Sequence, residues 1–203
     1  MTFQLTERQE QLRGEVRTLC ARFGGDYWRA LDRERAYPER FVRALTEAGY
    51  LAALIPKSYG GLGLGGTEAS IILEEINRSG GHSAASHAQM YILAALVRHG
   101  SSEQKERWLP RIASGEIRLQ AFSVTEPEAG SDTTSIRTSA VRDGDVYLIN
   151  GFKNWTSRIE QSDLLLLLAT QGVLAPVVDI YTKIGEAQGG WYQSVADSSD
   201  TTE

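Results

Sequence analysis

Sulfur is nearly absent from this chain: of 203 residues, one is cysteine, Cys20, and two are methionine. A single cysteine excludes an intramolecular disulfide and any cysteine-based metal cluster, and a buried helix position is its expected role. Histidine is scarce too. His82 and His87 stand five apart, about 140° around a helix, which is the wrong geometry for a shared metal ion. His99 falls in a last helical turn, where positive charge favours the dipole. No metal site is expected. Positive charge is not in excess either: the net charge is −5, residues 1–120 carry 16 basic and 14 acidic side chains, and residues 121–203 carry 5 and 12. That balance argues against a nucleic-acid partner. No apolar stretch approaches the length needed to span a bilayer, and the opening MTFQLTERQE lacks the basic and apolar runs of a signal peptide, so a cytoplasmic chain with no membrane span is expected. The sequons at Asn77 and Asn154 are then idle. What remains, 41% apolar and 23% charged residues, is the composition of an ordinary globular protein.

Helical signals fill the first half. Thr6-x-x-Gln9 has the form of a capping box, and Leu12, Val16, Leu19 and Phe23 recur at helical spacing, with the arginines facing solvent. Pro38 marks a second start, followed by a stripe of Phe41, Leu45 and Ala48 that stops at Gly49. Ile71, Ile72, Leu73 and Ile76 read as a largely buried helix over 67–78. Another runs from about Ser83 to Arg98, with Met90, Leu93, Ala94 and Val97 on one face. Ser101-x-x-Gln104 opens a last, short helix with Trp108, Leu109 and Ile112 inward. Five or six helices up to Gly115 make an α-helical domain.

Within it, Gly61, Gly63 and Gly66 match the spacing G-x-G-x-x-G. A dinucleotide fingerprint needs a strand running directly into the first glycine and an acid-bearing second strand after the helix. Pro56-Lys57-Ser58-Tyr59 separates the apolar run from the glycines, and Ser79-Gly80-Gly81-His82 follows the helix, so a nicotinamide-binding Rossmann enzyme is the weakest of the readings kept open.

After Gly115 the pattern changes to strands: Leu119–Thr125, 135–141, 146–149 and 164–169, with turn signals at Asp143-Gly144 and Asn150-Gly151. Val173 to Tyr181 reads as one further strand, confined to an edge by Pro176. The stretch LQAFSVTEPEAGSD, Leu119 to Asp132, is an apolar strand that breaks at Glu126-Pro127 into a turn with a permissive glycine. There, backbone N–H groups can converge on an anion such as a pyrophosphate. Alone, such a motif is also an ordinary turn.

Together with Tyr59-Gly60-Gly61-Leu62-Gly63 before it and Asn150 to Ser157, NGFKNWTS, after it, this stretch resembles the acyl-CoA dehydrogenase family, over roughly Leu5 to Ala169. The resemblance implies FAD lying across the junction of a helical and a β domain, with its ring against an acyl thioester. Phe122, Val124 and Thr125 fall where the family lines the flavin, the Thr125 hydroxyl and backbone meeting the ring's polar edge. Ser131 falls where a serine meets the pyrophosphate region and the CoA portion of the substrate. Trp155, Thr156 and Ser157 fall on the family's Trp-Ile-Thr segment, which packs on the flavin and bonds near N5. Two departures stand out: Thr156 replaces an apolar residue, and Ser123 stands where Gly, Ala or Cys is commoner. Ser157 for threonine keeps the hydroxyl.

The implied reaction is α,β-dehydrogenation of an acyl-CoA, with hydride passing to flavin N5 and an electron-transfer flavoprotein or oxygen as acceptor. Its general base is a glutamate of a C-terminal helical domain, and neither Glu126 nor Glu128 matches it, so no catalytic residue is assigned here. From Thr170 onward no resemblance is found, and a truncated member, usually a homo-oligomer in the family, is expected. The expected architecture is α+β: an N-terminal all-α domain at 1–117, an incomplete antiparallel β domain opening at 118–170, and a partly disordered tail at 171–203. The rival readings are a non-catalytic helical interaction module and one half of a split enzyme.

Overall fold

The computed structural model describes residues 4–144, 146–171 and 175–182, and the expected disordered tail lies outside them. Contacts divide the chain into two compact units, 1–116 and 117–203.

The first unit is helical. Its helices are α1 Glu7–Cys20, α2 Gly25–Glu34, α3 Glu39–Glu47, α4 Gly66–Arg78, α5 Ala84–His99 and α6 Ser102–Ala113. Short 3-10 turns at Tyr50–Ala52 and Lys57–Tyr59 fill the gap between α3 and α4. Both capping boxes form as the sequence predicts: Gln9 N–H donates to Thr6 Oγ1 at 3.3 Å and Gln104 N–H to Ser101 Oγ at 3.1 Å, and each glutamine oxygen accepts the N-cap amide in return. The core gathers Val16, Cys20, Phe41, Leu45, Ile72 and Ile76, with Phe23, Tyr27, Trp28 and Phe41 meeting edge to face.

The sequence reading is amended at three points. Helix α2 has no fully buried residue, only half-buried Tyr27, Trp28, Ala30 and Leu31, so it left too faint a stripe to read. On α5 the expected Met90 and Leu93 are buried and Val97 is half-buried, but Ala94 is exposed, and the buried face extends to Ala85, Ala88, Gln89, Ile92 and Leu96; there the Gln89 amide donates to the Leu51 carbonyl at 3.2 Å. Of the arginines of α1, Arg17 is exposed as expected and Arg13 is half-buried, and both also reach an acid of the neighbouring helix. Arg17 grips Glu75 of α4 through two bonds of 3.0 and 3.1 Å, and Arg13 approaches the same carboxylate at 3.5 Å. Glu75 is 2% exposed, and the Arg17 hydrogen bonds hold its carboxyl below the usual range. An arginine pair reaching across two helices satisfies a buried acid that an apolar-stripe reading ignores.

The second unit is a five-stranded sheet of β1 Ala121–Ser123, β2 Ser139–Asp143, β3 Val146–Asn150, β4 Leu164–Gln171 and β5 Ala175–Thr182. The sheet is mixed, not antiparallel as expected. β4 pairs antiparallel with β5 along its whole length, so β1 and β2, both parallel to β4, lie end to end on its other edge, β1 at 165–167 and β2 at Thr170. Parallel pairing of β1 and β4 is open to the chain because about 40 residues separate them, ample for a crossover. The Arg118 amide donates to the Asp163 carboxylate at 2.7 Å and the Gln120 amide to Ser162 Oγ at 3.2 Å, which holds the two strand starts level. Leu164 to Leu167 are all buried, as a strand covered on both faces requires.

β2 and β3 form the hairpin expected at Asp143-Gly144, where Gly144 takes φ +62. The second turn signal, Asn150-Gly151, does not make a hairpin. A Cβ at Gly151 would lie 2.3 Å from Thr138 Oγ1, so the glycine is there for a close approach, and the chain continues into a loop over 151–163. β5 pairs with β4 alone among the described residues, an edge position that admits Pro176 opposite Thr170.

Candidate functional site

β1 leads out of the sheet core, with Ala121 and Ser123 buried on one face and Phe122 half-buried on the other. The strand ends in the turn foreseen at Pro127: the Glu126 and Ala129 backbones exchange bonds of 2.9 and 3.2 Å around Pro127-Glu128. The loop after β3 then returns to this strand end and runs antiparallel beside it. Lys153 Nζ donates to the Val124 carbonyl and to Glu126 Oε1, both at 2.8 Å. Asn154 N–H donates to the Thr125 carbonyl at 2.8 Å, and the Thr156 and Ser123 hydroxyls meet at 2.7 Å. Residues 153, 154 and 156 thus face 126, 125 and 123, one residue back for each residue forward.

This register brings four of the seven residues singled out from the sequence side by side: Val124, Thr125, Trp155 and Thr156. Between these two anchors, one backbone and one side-chain, Trp155 stands 87% exposed, in the left-handed region at φ +62, where an L-residue is strained. Ser157, next along, is exposed. Thr156 points its hydroxyl at the strand, so it acts as an anchor of the segment. Phe122 sits in β1 one residue before this row. Ser131 is exposed on the chain after the turn, and no hydrogen bond among the described residues joins it to the cluster.

One of the amides at 129–132, and the acid at its end, are engaged within the chain. Ala129 N–H is engaged by the Glu126 carbonyl, and the Asp132 carboxylate accepts from Thr134 N–H at 3.1 Å and from the Thr134 and Ser135 hydroxyls, capping a 3-10 turn over Thr133–Ser135. Hydrogen bonds from Ser135 and then Thr134 hold the Asp132 carboxyl below its ordinary range. An internal acid takes the donors of that turn.

Sequence reasoning overlooked the residue on which the arrangement hangs. Glu126, 7% exposed, accepts from the amides of Arg137 at 2.6 Å and Thr138 at 2.9 Å as well as from Lys153. Burial alone works against its charge, but Lys153 and the converging amide donors overcome that, and its carboxyl is lowered to about 2. A carboxyl held this low by its partners stays ionised near neutral pH and is engaged in holding the fold. Glu128 is exposed and pairs with Arg137 at 2.7 Å. The only local hint was a carboxylate placed at a strand end before a proline. Its partner Lys153 lies 27 residues away, and no spacing rule links them.

The geometry has counterparts. A profile described as "Acyl-CoA dehydrogenase, N-terminal domain" matches residues 6–116, and one described as "Acyl-CoA dehydrogenase, middle domain" matches residues 121–181. The mitochondrial isovaleryl-CoA dehydrogenase of Pongo abelii is 34% identical over 176 residues, which is 84% of this chain and 41% of that protein. Among solved structures, a glutaryl-coenzyme A dehydrogenase in complex with glutaryl-CoA superposes with a TM-score of 0.75 at 31% identity, covering 83% of this chain and 44% of that one. An acyl-CoA dehydrogenase complexed with FAD from Bacillus anthracis gives 0.76 at 26% identity, covering 89% and 31%. This chain therefore spans less than half the length of these relatives. Among the described residues no helix is long and apolar enough to cross a membrane. The dinucleotide reading of Gly61 to Gly66 fails on its own terms, because the amides of Leu62, Gly63 and Leu64 donate to the carbonyls of Ala52, Ile55 and Ala53 at 3.2, 2.8 and 2.8 Å, and 3-10 turns stand where the strand should be. With a six-helix unit, a mixed sheet and two matched domains in the family's order, the chain belongs to the acyl-CoA dehydrogenase family.

Proposed function

We propose that this chain supplies the helical and β portions of a flavin-dependent dehydrogenase that introduces an α,β double bond into an acyl-CoA thioester. The observation that carries the reading is the docking of residues 153–156 against 123–126, which groups an exposed tryptophan with backbone and hydroxyl donors beside a strand end. An isoalloxazine ring fits these residues: an indole held out from the surface offers a face for stacking, and Thr125 and Ser157 offer hydroxyls for a polar edge. When bound, FAD accepts a hydride and so supplies the oxidising half of the chemistry.

This chain's own residues bind and orient. Phe122, Val124, Thr125, Trp155 and Ser157 hold the ring, Thr156 anchors the segment that carries two of them, and Ser131 meets the pyrophosphate and the CoA portion of the substrate. Lys153 and Glu126 keep the segment in place. No carboxylate among these 203 residues is assigned to α-proton abstraction. The partners implied are an acyl-CoA, an electron-transfer flavoprotein and further copies of the chain, and a cytoplasmic location suits the lone buried thiol of Cys20.

Visible absorbance of the purified chain after addition of FAD tests the reading, followed by a panel of acyl-CoA esters. Retained flavin, weakened by Trp155→Ala combined with Ser131→Ala and not bleached by any ester, is the expected result. A chain that takes up no flavin overturns it.

A further inference from the structure

We propose that Ser123 and Thr156 form one coupled latch that positions Trp155. The two hydroxyls are hydrogen-bond partners, 2.7 Å apart across 33 residues of sequence. Ser123 without that partner is a liability. Ser123 lies in β1 at 3% exposure, so an apolar residue at 156 would leave its hydroxyl buried and without a partner. Thr156 is half-buried, so its own hydroxyl can turn to water when Ser123 is lost.

The position of this bond gives it a consequence beyond stability. It falls one residue after Trp155, while one residue before it the Asn154 amide is fixed to the Thr125 carbonyl at 2.8 Å. Trp155 has little packing of its own, being 87% exposed, and its left-handed backbone is strained. Its orientation must therefore be imposed by its two neighbours, and the Ser123–Thr156 bond is the second of those two constraints. Ser123 thus acts through Thr156 as a positioning residue for the indole. The importance of that orientation rests on the flavin reading above; the latch itself does not.

The test uses the full chain without FAD, in the variants Ser123→Ala, Thr156→Val, Thr156→Ser and the double variant Ser123→Ala/Thr156→Val. Urea unfolding reads stability, and the backbone amide resonance of Trp155, identified by tryptophan labelling and its loss in Trp155→Phe, reads the left-handed backbone that aims the indole. Thr156→Val should lower the folding equilibrium constant by about tenfold or more, and Ser123→Ala by less, because the hydroxyl it leaves behind reaches solvent. The double variant should lie closer to the wild type than Thr156→Val does. The Trp155 amide resonance should shift towards that of an unstructured tryptophan in Thr156→Val and keep its position in Thr156→Ser. A Thr156→Val chain that fails to fold while the double variant folds also supports the latch. Additive losses, a double variant that fails as the single one does, or a Trp155 amide resonance unmoved in Thr156→Val would overturn it. FAD uptake, measured separately, bears on the flavin reading alone.

Discussion

Glu126 and Trp155 are the two residues where local chemistry departs furthest from habit. The Glu126 carboxyl is lowered from 4.5 to about 2, so its ionised form stabilises the fold fully above about pH 4.5, and that contribution is lost as pH falls from there through 2. At about 1.4 kcal/mol per unit, the loss is roughly 3 kcal/mol. Removing the cation with Lys153→Met should cost about 3 kcal/mol at neutral pH and flatten this acid limb, read as urea midpoints across the pH range. Trp155 carries the opposite kind of strain, in the backbone. Because it packs so little, Trp155→Gly should be about 1 kcal/mol more stable than Trp155→Ala, since only glycine is at ease at φ +62; thermal melts of the two decide it. Neither property could be read from the sequence. Trp155 was visible as a motif residue, yet a left-handed φ at a tryptophan runs against every local preference, and the acid's partner is too distant for any short-range pattern.

Elements were legible where their signal is local. Capping boxes at Thr6 and Ser101 placed two helix starts, and the leucine run at 164–168 marked a strand. Orientation was not legible. Whether β4 would run parallel or antiparallel to β1 depends on how the intervening chain crosses, and which face α5 buries depends on a glutamine reaching a turn in another part of the fold. The glycines between the 3-10 turns and α4 teach the same lesson, since one spacing serves two unrelated purposes. A Cβ at Gly61 would sit 2.1 Å from the Ile55 carbonyl oxygen, whereas at Gly66 nothing lies within 4 Å. Gly61→Ala should therefore destabilise by about 2 kcal/mol or more, and Gly66→Ala, in the first turn of α4, should be neutral or slightly stabilising, as chemical denaturation would show.

At the scale of the whole molecule, the family could be recognised from three short motifs, because those motifs keep their order and approximate spacing, and the fold sets four of the seven residues singled out from them side by side. The sheet's exposed surface could not be recognised in this way. Among the described residues β3 pairs with β2 alone, and Val141 and Leu148, opposite one another in that hairpin, are 57% and 58% exposed. An apolar cross-strand pair at a sheet edge invites edge-to-edge association. Val141→Lys combined with Leu148→Glu should reduce self-association in size-exclusion runs while changing stability by no more than about 0.5 kcal/mol.

The clamp between residues 123–126 and 153–156 also sets an order of events in time. Its bonds join residues 27 to 33 apart, whereas the β2–β3 hairpin between them closes over a few residues. Closing the larger loop before the hairpin has formed would forfeit more chain entropy, so the hairpin forms early and the clamp late, after the folding barrier has been crossed. Lys153→Met should then speed unfolding in proportion to the stability it removes and leave the refolding rate nearly unchanged, a φ-value near zero in stopped-flow measurements. The surface offered to the flavin is, on this account, the last part of the chain to acquire its shape and the first to lose it.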